Sequence, residues 1–298
     1  MILRNAEINW NVVPKGMTIL FFGHPKTWKT TVASSWAEGG RDSVLLIDTE
    51  LGSDFVPGIN RIICTSLRPP LEHVYTEDGK IETDGMGIPK TKITEPKDRG
   101  YVYTTGDLIG QPMPTYSLQE IIDYIFDQIY DNNFPFETVV IDTVDEINTW
   151  VEQEVIAELK IPAMGAGEYG SDWALARDRV ISIISELKKL LKQRGINLIL
   201  ISHAKNTSFI EKGKTKIIQQ GADLPRGIAK KIMGMCELIG YVVKDGKDQV
   251  HLSFDGFDEV QMGSRLRPLQ GKKIKFSYQD FVKEITSYKQ EKKGEKHE

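Results

Sequence analysis

The chain has 298 residues, 40% of them hydrophobic and 27% charged, with a formal net charge of −4. This is an ordinary soluble composition, long enough for a substantial core, and it excludes a generally basic nucleic-acid coat while leaving room for a local basic loop. No apolar run approaches the ~18 residues of a membrane span, Cys64 and Cys236 form neither a metal spacing nor a disulfide framework, and the first residues carry no signal-peptide pattern, so a reducing cytoplasm is the expected compartment.

Residues 1–16 read as a lead-in that ends in the turn Pro14-Lys-Gly16. The apolar run 17–22 predicts a strand. It is followed by Gly23, His24, Pro25, Lys26, Thr27, Trp28, Lys29, Thr30 and Thr31, and then by a helical run to about Ala37 that Gly39 and Gly40 stop. Strand, tight loop and helix form the context of a phosphate-binding P-loop, whose amides and helix N-terminus receive phosphates. All nine residues of the loop are candidate nucleotide contacts. Lys29 would reach the β- and γ-phosphates of ATP, and the Thr30 hydroxyl would hold Mg²⁺. Trp28 stands where the pattern has its second glycine. If that position needs positive φ, a non-glycine residue costs on the order of 1–3 kcal/mol, against about 8 kcal/mol for micromolar nucleotide binding. The alternative is a strand-to-helix turn with no ligand.

Ser43-Val-Leu-Leu-Ile-Asp48 is a buried strand ending in a carboxylate, and 61–64 is a further short strand. Residues 65–116 are rich in Pro, Gly and Thr. They read as an insertion, for which strand content or a binding or lid role is expected, since structureless loops of that length are uncommon. Ser117-Leu-Gln-Glu120 is a capping box opening a helix with Ile121, Ile122, Ile125, Phe126, Ile129 and Tyr130 on one face. A strand at 137–142 ends in Asp142. Helices follow at about 144–160 and 171–194, with a Gly-rich loop at 162–170 between them and Gly195 as the stop. Then come a strand at 196–202, a polar Lys-rich stretch at 204–222, a helix at 224–236, strands at 238–243, 249–254 and 272–276, and a helix at 279–288. The last ten residues, 289–298, form a charged tail expected to be disordered. The fold class is α/β, a mostly parallel sheet flanked by helices with antiparallel C-terminal strands, in one domain over 1–288 with 65–116 inserted. Ligands in such sheets bind at the carboxyl ends of the strands.

Hydrolysis of ATP needs a phosphate cradle, a metal, a group that orients water, and positive charge. Asp142 is the candidate second carboxylate of the Mg²⁺ site; alternatively it caps the next helix. The residue after it is Thr143, so a base must come from elsewhere. Glu50, two residues past Asp48, is the first candidate, and Asp145 and Glu146 are weaker ones. The P-loop, Leu46-Ile-Asp-Thr-Glu50, Val140-Ile-Asp-Thr143 and Leu200-Ile-Ser-His203 stand in this order, and a helix carrying Ile228-Ala-Lys-Lys-Ile-Met-Gly follows. Over about 17–64 and 117–255 this resembles the RecA family of ATPases, and more narrowly the phage-encoded RecA-like ATPases grouped with Sak-type single-strand annealing proteins. The resemblance implies that Glu50 activates water, that Asp142 belongs to the Mg²⁺ site and that His203 stands at the γ-phosphate sensor, where the family usually has Gln. It implies that the stretch with Lys205, Phe209, Lys212, Lys214 and Lys216 contacts single-stranded DNA, and that the loop at 161–170 is the family's other DNA loop. Four lysines would give a salt slope of about −0.7 per phosphate neutralised, and an aromatic could stack on a base for roughly 1–3 kcal/mol. It implies a homo-oligomer, ring or filament, with Arg265, Arg267 or Arg226 supplied in trans, and, for a phage-encoded chain, the host cytoplasm. Two other readings stay open: an ATPase motor or switch with a protein partner, and a nucleotide-binding scaffold that Trp28 prevents from hydrolysing.

Overall fold

A computed structural model describes residues 9–209, 217–246, 249–256 and 260–288. The first strand, β1 (Thr18–Gly23), leads into the short helix α1 (Lys29–Ala33), and β2 (Val44–Asp48) and β3 (Asn60–Ser66) follow. The inserted segment carries β4 (Leu71–His73) and β5 (Thr91–Ile93). After it come β6 (Tyr116–Ser117), α2 (Leu118–Tyr130), β7 (Thr138–Asp142), α3 (Val144–Leu159) and α4 (Ser171–Gln193). The chain continues through β8 (Asn197–Phe209), β9 (Ile217–Ala222), α5 (Arg226–Met235), β10 (Leu238–Lys244), β11 (Val250–Ser253), β12 (Gly263–Ser264), β13 (Lys273–Lys275) and α6 (Tyr278–Thr286).

The main sheet runs β13-β11-β10-β1-β8-β7-β2-β3-β6. It is parallel from β10 to β6, and β11, β12 and β13 are antiparallel, as the sequence predicts. Each central strand is an unbroken apolar run because both of its faces are covered. Leu20, Phe22, Leu45, Ile47, Val139 and Ile141 face the layer of α2 to α5. Ile19, Phe21, Leu46, Val140, Ile199 and Ile201 face the layer of Trp36 and α6. Register aligns the strand ends: Gly23 is level with His203 and Val242, and Asp48 with Asp142. No helix among the described residues is long and apolar enough to cross a membrane.

Three expectations change. The helix after the P-loop stops at Ala33 instead of Ala37. Ser34 and Ser35 turn their hydroxyls onto the carbonyls of Thr31 and Val32, which competes with the helical ladder; Trp36 and Ala37 stay buried all the same. On α2 the buried stripe is Leu118, Ile121, Ile125 and Ile129, whereas Phe126 and Tyr130 lie on the solvent flank and stack on each other. The stretch after His203 is a ribbon and not a loop: β8 continues past the sheet and pairs antiparallel with β9, from Ala204 opposite Ala222 to Phe209 opposite Ile217.

The insertion has the strand content expected of it. β4 pairs with β5, and bridges join Tyr75 to Ile81, Thr83 to Pro89 and Val102 to Pro112. Its anchor is Arg99, whose side chain is only 3% exposed. The guanidinium donates to both carboxylate oxygens of Glu120 (2.7 and 2.8 Å) and to the carbonyls of Thr94 and Thr115. Glu120 is also the acid of the capping box that starts α2. The Arg99 guanidinium, with the Ser117 amide and hydroxyl, holds its carboxyl down at about 2.

Candidate active site at the carboxyl edge of the sheet

The loop from Gly23 to Thr31 leaves β1 at the edge where β2, β7 and β8 also end. Gly23 has to be glycine: a Cβ there would lie 2.8 Å from the Val242 carbonyl oxygen of β10. Thr27 closes the loop by donating its hydroxyl to the His24 carbonyl at 2.7 Å. Lys26 and Trp28 are left-handed, with φ of 61° and 66°. Among the described residues, neither of their amides meets a protein acceptor. Amides displayed from alternating left- and right-handed residues make an anion-binding concavity. Trp28 therefore occupies the positive-φ position that glycine would take without strain, but its indole is 57% exposed and does not fill the cradle.

Lys29 is buried, and its ammonium donates to the carbonyls of Gly23 and His24, both at 2.9 Å. Burial lowers its pKa, and the charges of Asp142, Asp145 and Glu50 act in the opposite sense. Thr30, next in the chain, donates its hydroxyl to Oδ2 of Asp142 across 112 residues of sequence. Burial, with the charges of Glu50 and Asp48, pushes the Asp142 carboxyl up to about 6, although the Thr30 hydroxyl and Lys29 favour its ionised form.

The ends of β2 and β7 are fastened by their threonines. Thr143 N–H donates to Thr49 Oγ1 at 2.7 Å, Thr49 Oγ1 donates to the Thr143 carbonyl at 3.1 Å, and Thr49 N–H donates to the Asp142 carbonyl at 2.8 Å. Asp48, buried at the end of β2, accepts from the amides of Glu50, Gly52 and Ser53 and so shapes the turn that presents Glu50. Glu50 accepts from the Thr143 hydroxyl at 3.0 Å, and its carboxylate is 3.5 Å from Nδ1 of His203. His203 ends the in-sheet part of β8. Asp145, in the first turn of α3, accepts from the His203 amide at 2.6 Å, from its Nδ1 at 3.1 Å and from the Ser202 hydroxyl. Sequence reasoning treats Asp145 only as a weaker base, whereas its carboxylate is taken up by β8. Local sequence held no signal for this, because Ser202 and His203 become its neighbours only through the pairing of β7 with β8.

The edge thus brings together Lys29, Thr30, Asp142, Glu50 and His203. Thr30 and Asp142 offer hard oxygen donors, and a cation beside Asp142 would offset the buried negative charge. No group of three or more His, Cys, Asp or Glu capable of caging a metal occurs among the described residues. Mg²⁺ is usually held by one or two protein oxygens together with phosphate and water, and Thr30 and Asp142 would supply such oxygens. Glu146 is not part of this contact set; burial, then Glu50, raises its carboxyl above the usual range.

Other predicted residues lie elsewhere. Lys205 is exposed on the ribbon and pairs with Asp223 at 2.8 Å. Phe209 ends β8, and Lys212, Lys214 and Lys216 lie outside the described residues. Asp172 of α4 accepts from the amides of Gly165 and Gly167 in the 161–170 loop, where Tyr169 stands fully exposed. Arg226 opens α5. Arg265 and Arg267 are exposed at the opposite, amino edge of the sheet, where the Arg265 amide meets the Glu237 carbonyl and its guanidinium the Gly234 carbonyl. That edge also holds a cavity of about 970 Å³ lined in part by Val12, Phe134, Phe136 and Tyr278. It is remote from the orphaned amides and the acids.

A family model described as an AAA domain matches residues 15–275, which takes in Lys29, Thr30, Glu50, Asp142, Asp145 and His203 of the carboxyl edge. No curated protein matches the chain.

Proposed function

The chain belongs to the AAA-domain family, and from that premise we propose that it is a Mg²⁺-dependent, RecA-like ATPase of the phage Sak type that acts on single-stranded DNA in recombination, annealing or replication. The observation that carries the ATPase part is the bond from Thr30 to Asp142, which puts a P-loop hydroxyl and a strand-ending carboxylate in one place.

The roles follow from the geometry. The amides of Lys26 and Trp28 bind phosphate oxygens. Lys29 exchanges its two loop carbonyls for phosphate, a charge-assisted contact. Thr30 and Asp142 would hold Mg²⁺, which when bound neutralises charge on the phosphates. Glu50, turned toward the site by Asp48 and Thr143, orients a water and takes its proton as the oxygen bonds to the γ-phosphorus. The bond from that phosphorus to the bridging oxygen breaks, leaving ADP and phosphate. Arg265 and Arg267 lie at the amino edge, away from Lys29 in their own chain, so a role for either at the phosphates requires a homo-oligomer in which a neighbouring copy supplies it. The ribbon of β8 and β9 starts at His203 and carries Lys205 outward, with Lys212, Lys214 and Lys216 between its strands in sequence; this supports the DNA part.

The test is the rate of phosphate release with and without single-stranded DNA for wild type, Lys29→Ala and Glu50→Gln. Lys29→Ala is expected to abolish nucleotide binding. Glu50→Gln is expected to bind ATP but to lose about 10²–10⁴-fold in turnover. DNA is expected to raise the wild-type rate. Turnover indifferent to DNA would favour a protein partner. Binding without turnover in the wild type, rescued by Trp28→Gly, would favour the non-hydrolysing scaffold. Nucleotide binding that survives Lys29→Ala would remove the site.

A further inference from the structure

His203 lies between two acids of different standing. Glu50, on the turn after β2, is 3.5 Å from Nδ1 and is the proposed base. Asp145, on α3, is 3.1 Å from the same nitrogen, but it also holds the His203 amide and the Ser202 hydroxyl, so its position is set by β8 itself. The other charged group acting on the ring is Lys29 from the P-loop; the pair Lys205–Asp223 lies at the base of the ribbon, where the Asp223 amide bonds to the backbone carbonyl of His203 at 2.8 Å. An Nδ1–H given to Asp145 leaves a neutral ring with only a lone pair on Nε2. Only the imidazolium carries N–H at both nitrogens. An anionic phosphate oxygen can be met by Nε2 only in the charged state.

We propose that Asp145 is a positioning residue that keeps His203 as an imidazolium, so that this chain supplies a second positive charge, beside Lys29, to the phosphates from within its own site. The inference rests on the ATPase reading for its consequence, but the pairing itself is testable without turnover. The His203 pKa is displaced in the matching direction, above 6.5, by Asp145 first and by Glu50, against burial and Lys29. Glu50 alone would be a poor holder, because it has to exchange its partners for water during hydrolysis.

The experiment is a histidine NMR titration of the nucleotide-free protein, with the His203 signal identified by its loss in His203→Gln. Beside it runs the pH profile of kcat for wild type, Asp145→Asn, Ser202→Ala and His203→Gln. The expected result is that Asp145→Asn lowers the His203 midpoint by at least about one pH unit. Ser202→Ala, which keeps the charge, is expected to leave the midpoint within a few tenths of a unit. The alkaline fall of kcat is expected to move down with the midpoint in Asp145→Asn, costing roughly tenfold at pH 8 and little at pH 6, and to vanish in His203→Gln. A His203 midpoint unchanged by Asp145→Asn overturns the proposal, and so does a loss of kcat equal at every pH. If the midpoint shifts as expected in a protein that hydrolyses no ATP, the pairing stands and it is the ATPase reading that fails.

Discussion

The carboxyl edge of the sheet and the inserted segment 65–116 are built on opposite terms. At the edge, polar and charged side chains are buried against one another: Lys29, Asp48 and Asp142 are all under 10% exposed, and burial has moved the pKa of Lys29 and Asp142 away from the ionised form. In the insertion, Leu71, Tyr75, Met86, Ile88 and Ile93 are exposed, and the strands of the β4–β5 arm pack on no core. A two-stranded hairpin alone is marginal in water, so the arm relies on the ties at the base of the segment, of which the Arg99 guanidinium is the charged one. The edge gives up stability to gather charge, whereas the insertion adds surface at little cost and is tied to the sheet by Arg99 together with the buried Leu67, Met113 and Thr115 at its two ends.

Arg99→Ala should produce the largest stability change. It leaves the carbonyls of Thr94 and Thr115 without their donor and takes the counter-charge from the capping acid of α2. A loss of about 3 kcal/mol is expected in urea unfolding. The Glu120 carboxyl is depressed in the folded state to about 2, below its ordinary 4.5. Its contribution is therefore present above pH 4.5 and is lost as pH falls toward 2. The gap between wild type and Arg99→Ala should narrow over that window. A gap independent of pH would mean that the tie is packing and not charge.

Asp142→Asn is expected to act in the other direction. The folded-state carboxyl, at about 6, lies above its ordinary 3.8, so the folded protein holds more protons than the unfolded chain between those values and loses stability as pH rises through them. Removing the charge should stabilise the ligand-free protein at pH 7.5 by on the order of 2 kcal/mol, while weakening Mg²⁺-dependent nucleotide binding. A melting temperature that falls in this variant would show that the charge is already compensated within the chain. The smallest effect is expected from replacing 71–93 with a short Gly-Ser linker. Thermal unfolding should change by less than about 1 kcal/mol, since the loop-closure cost changes slowly with length and the exposed side chains bury little. A larger loss would show that the arm supports the sheet.

Much of this was legible from local sequence. The strand-loop-helix around Lys29, the strand-ending acids Asp48 and Asp142, and the capping box at Ser117 each lie within a few residues of chain. Positive φ at Trp28 follows from the spacing of the loop alone. The part of Asp145 was not legible, because its partners Ser202 and His203 are nearly sixty residues away and become neighbours only when β7 pairs with β8. The ribbon was hidden for a related reason. The sequence of 204–222 is mostly polar and Lys-rich without regular alternation, so it carried no strand signal, and the pairing of β8 with β9 is made by backbone hydrogen bonds.

By itself, then, the sequence determined the period and apolar content of each element, and with them an α/β sheet buried on both faces and a loop shaped for phosphate. Tertiary structure alone decided which acid faces which base, that Arg99 secures the insertion, and that Arg265 and Arg267 lie on the edge away from Lys29. The physical reason is range. Hydrophobic periodicity is written residue by residue, whereas the contacts of a charged side chain depend on strand order and register, which emerge only when the β10-β1-β8-β7-β2 sheet is assembled.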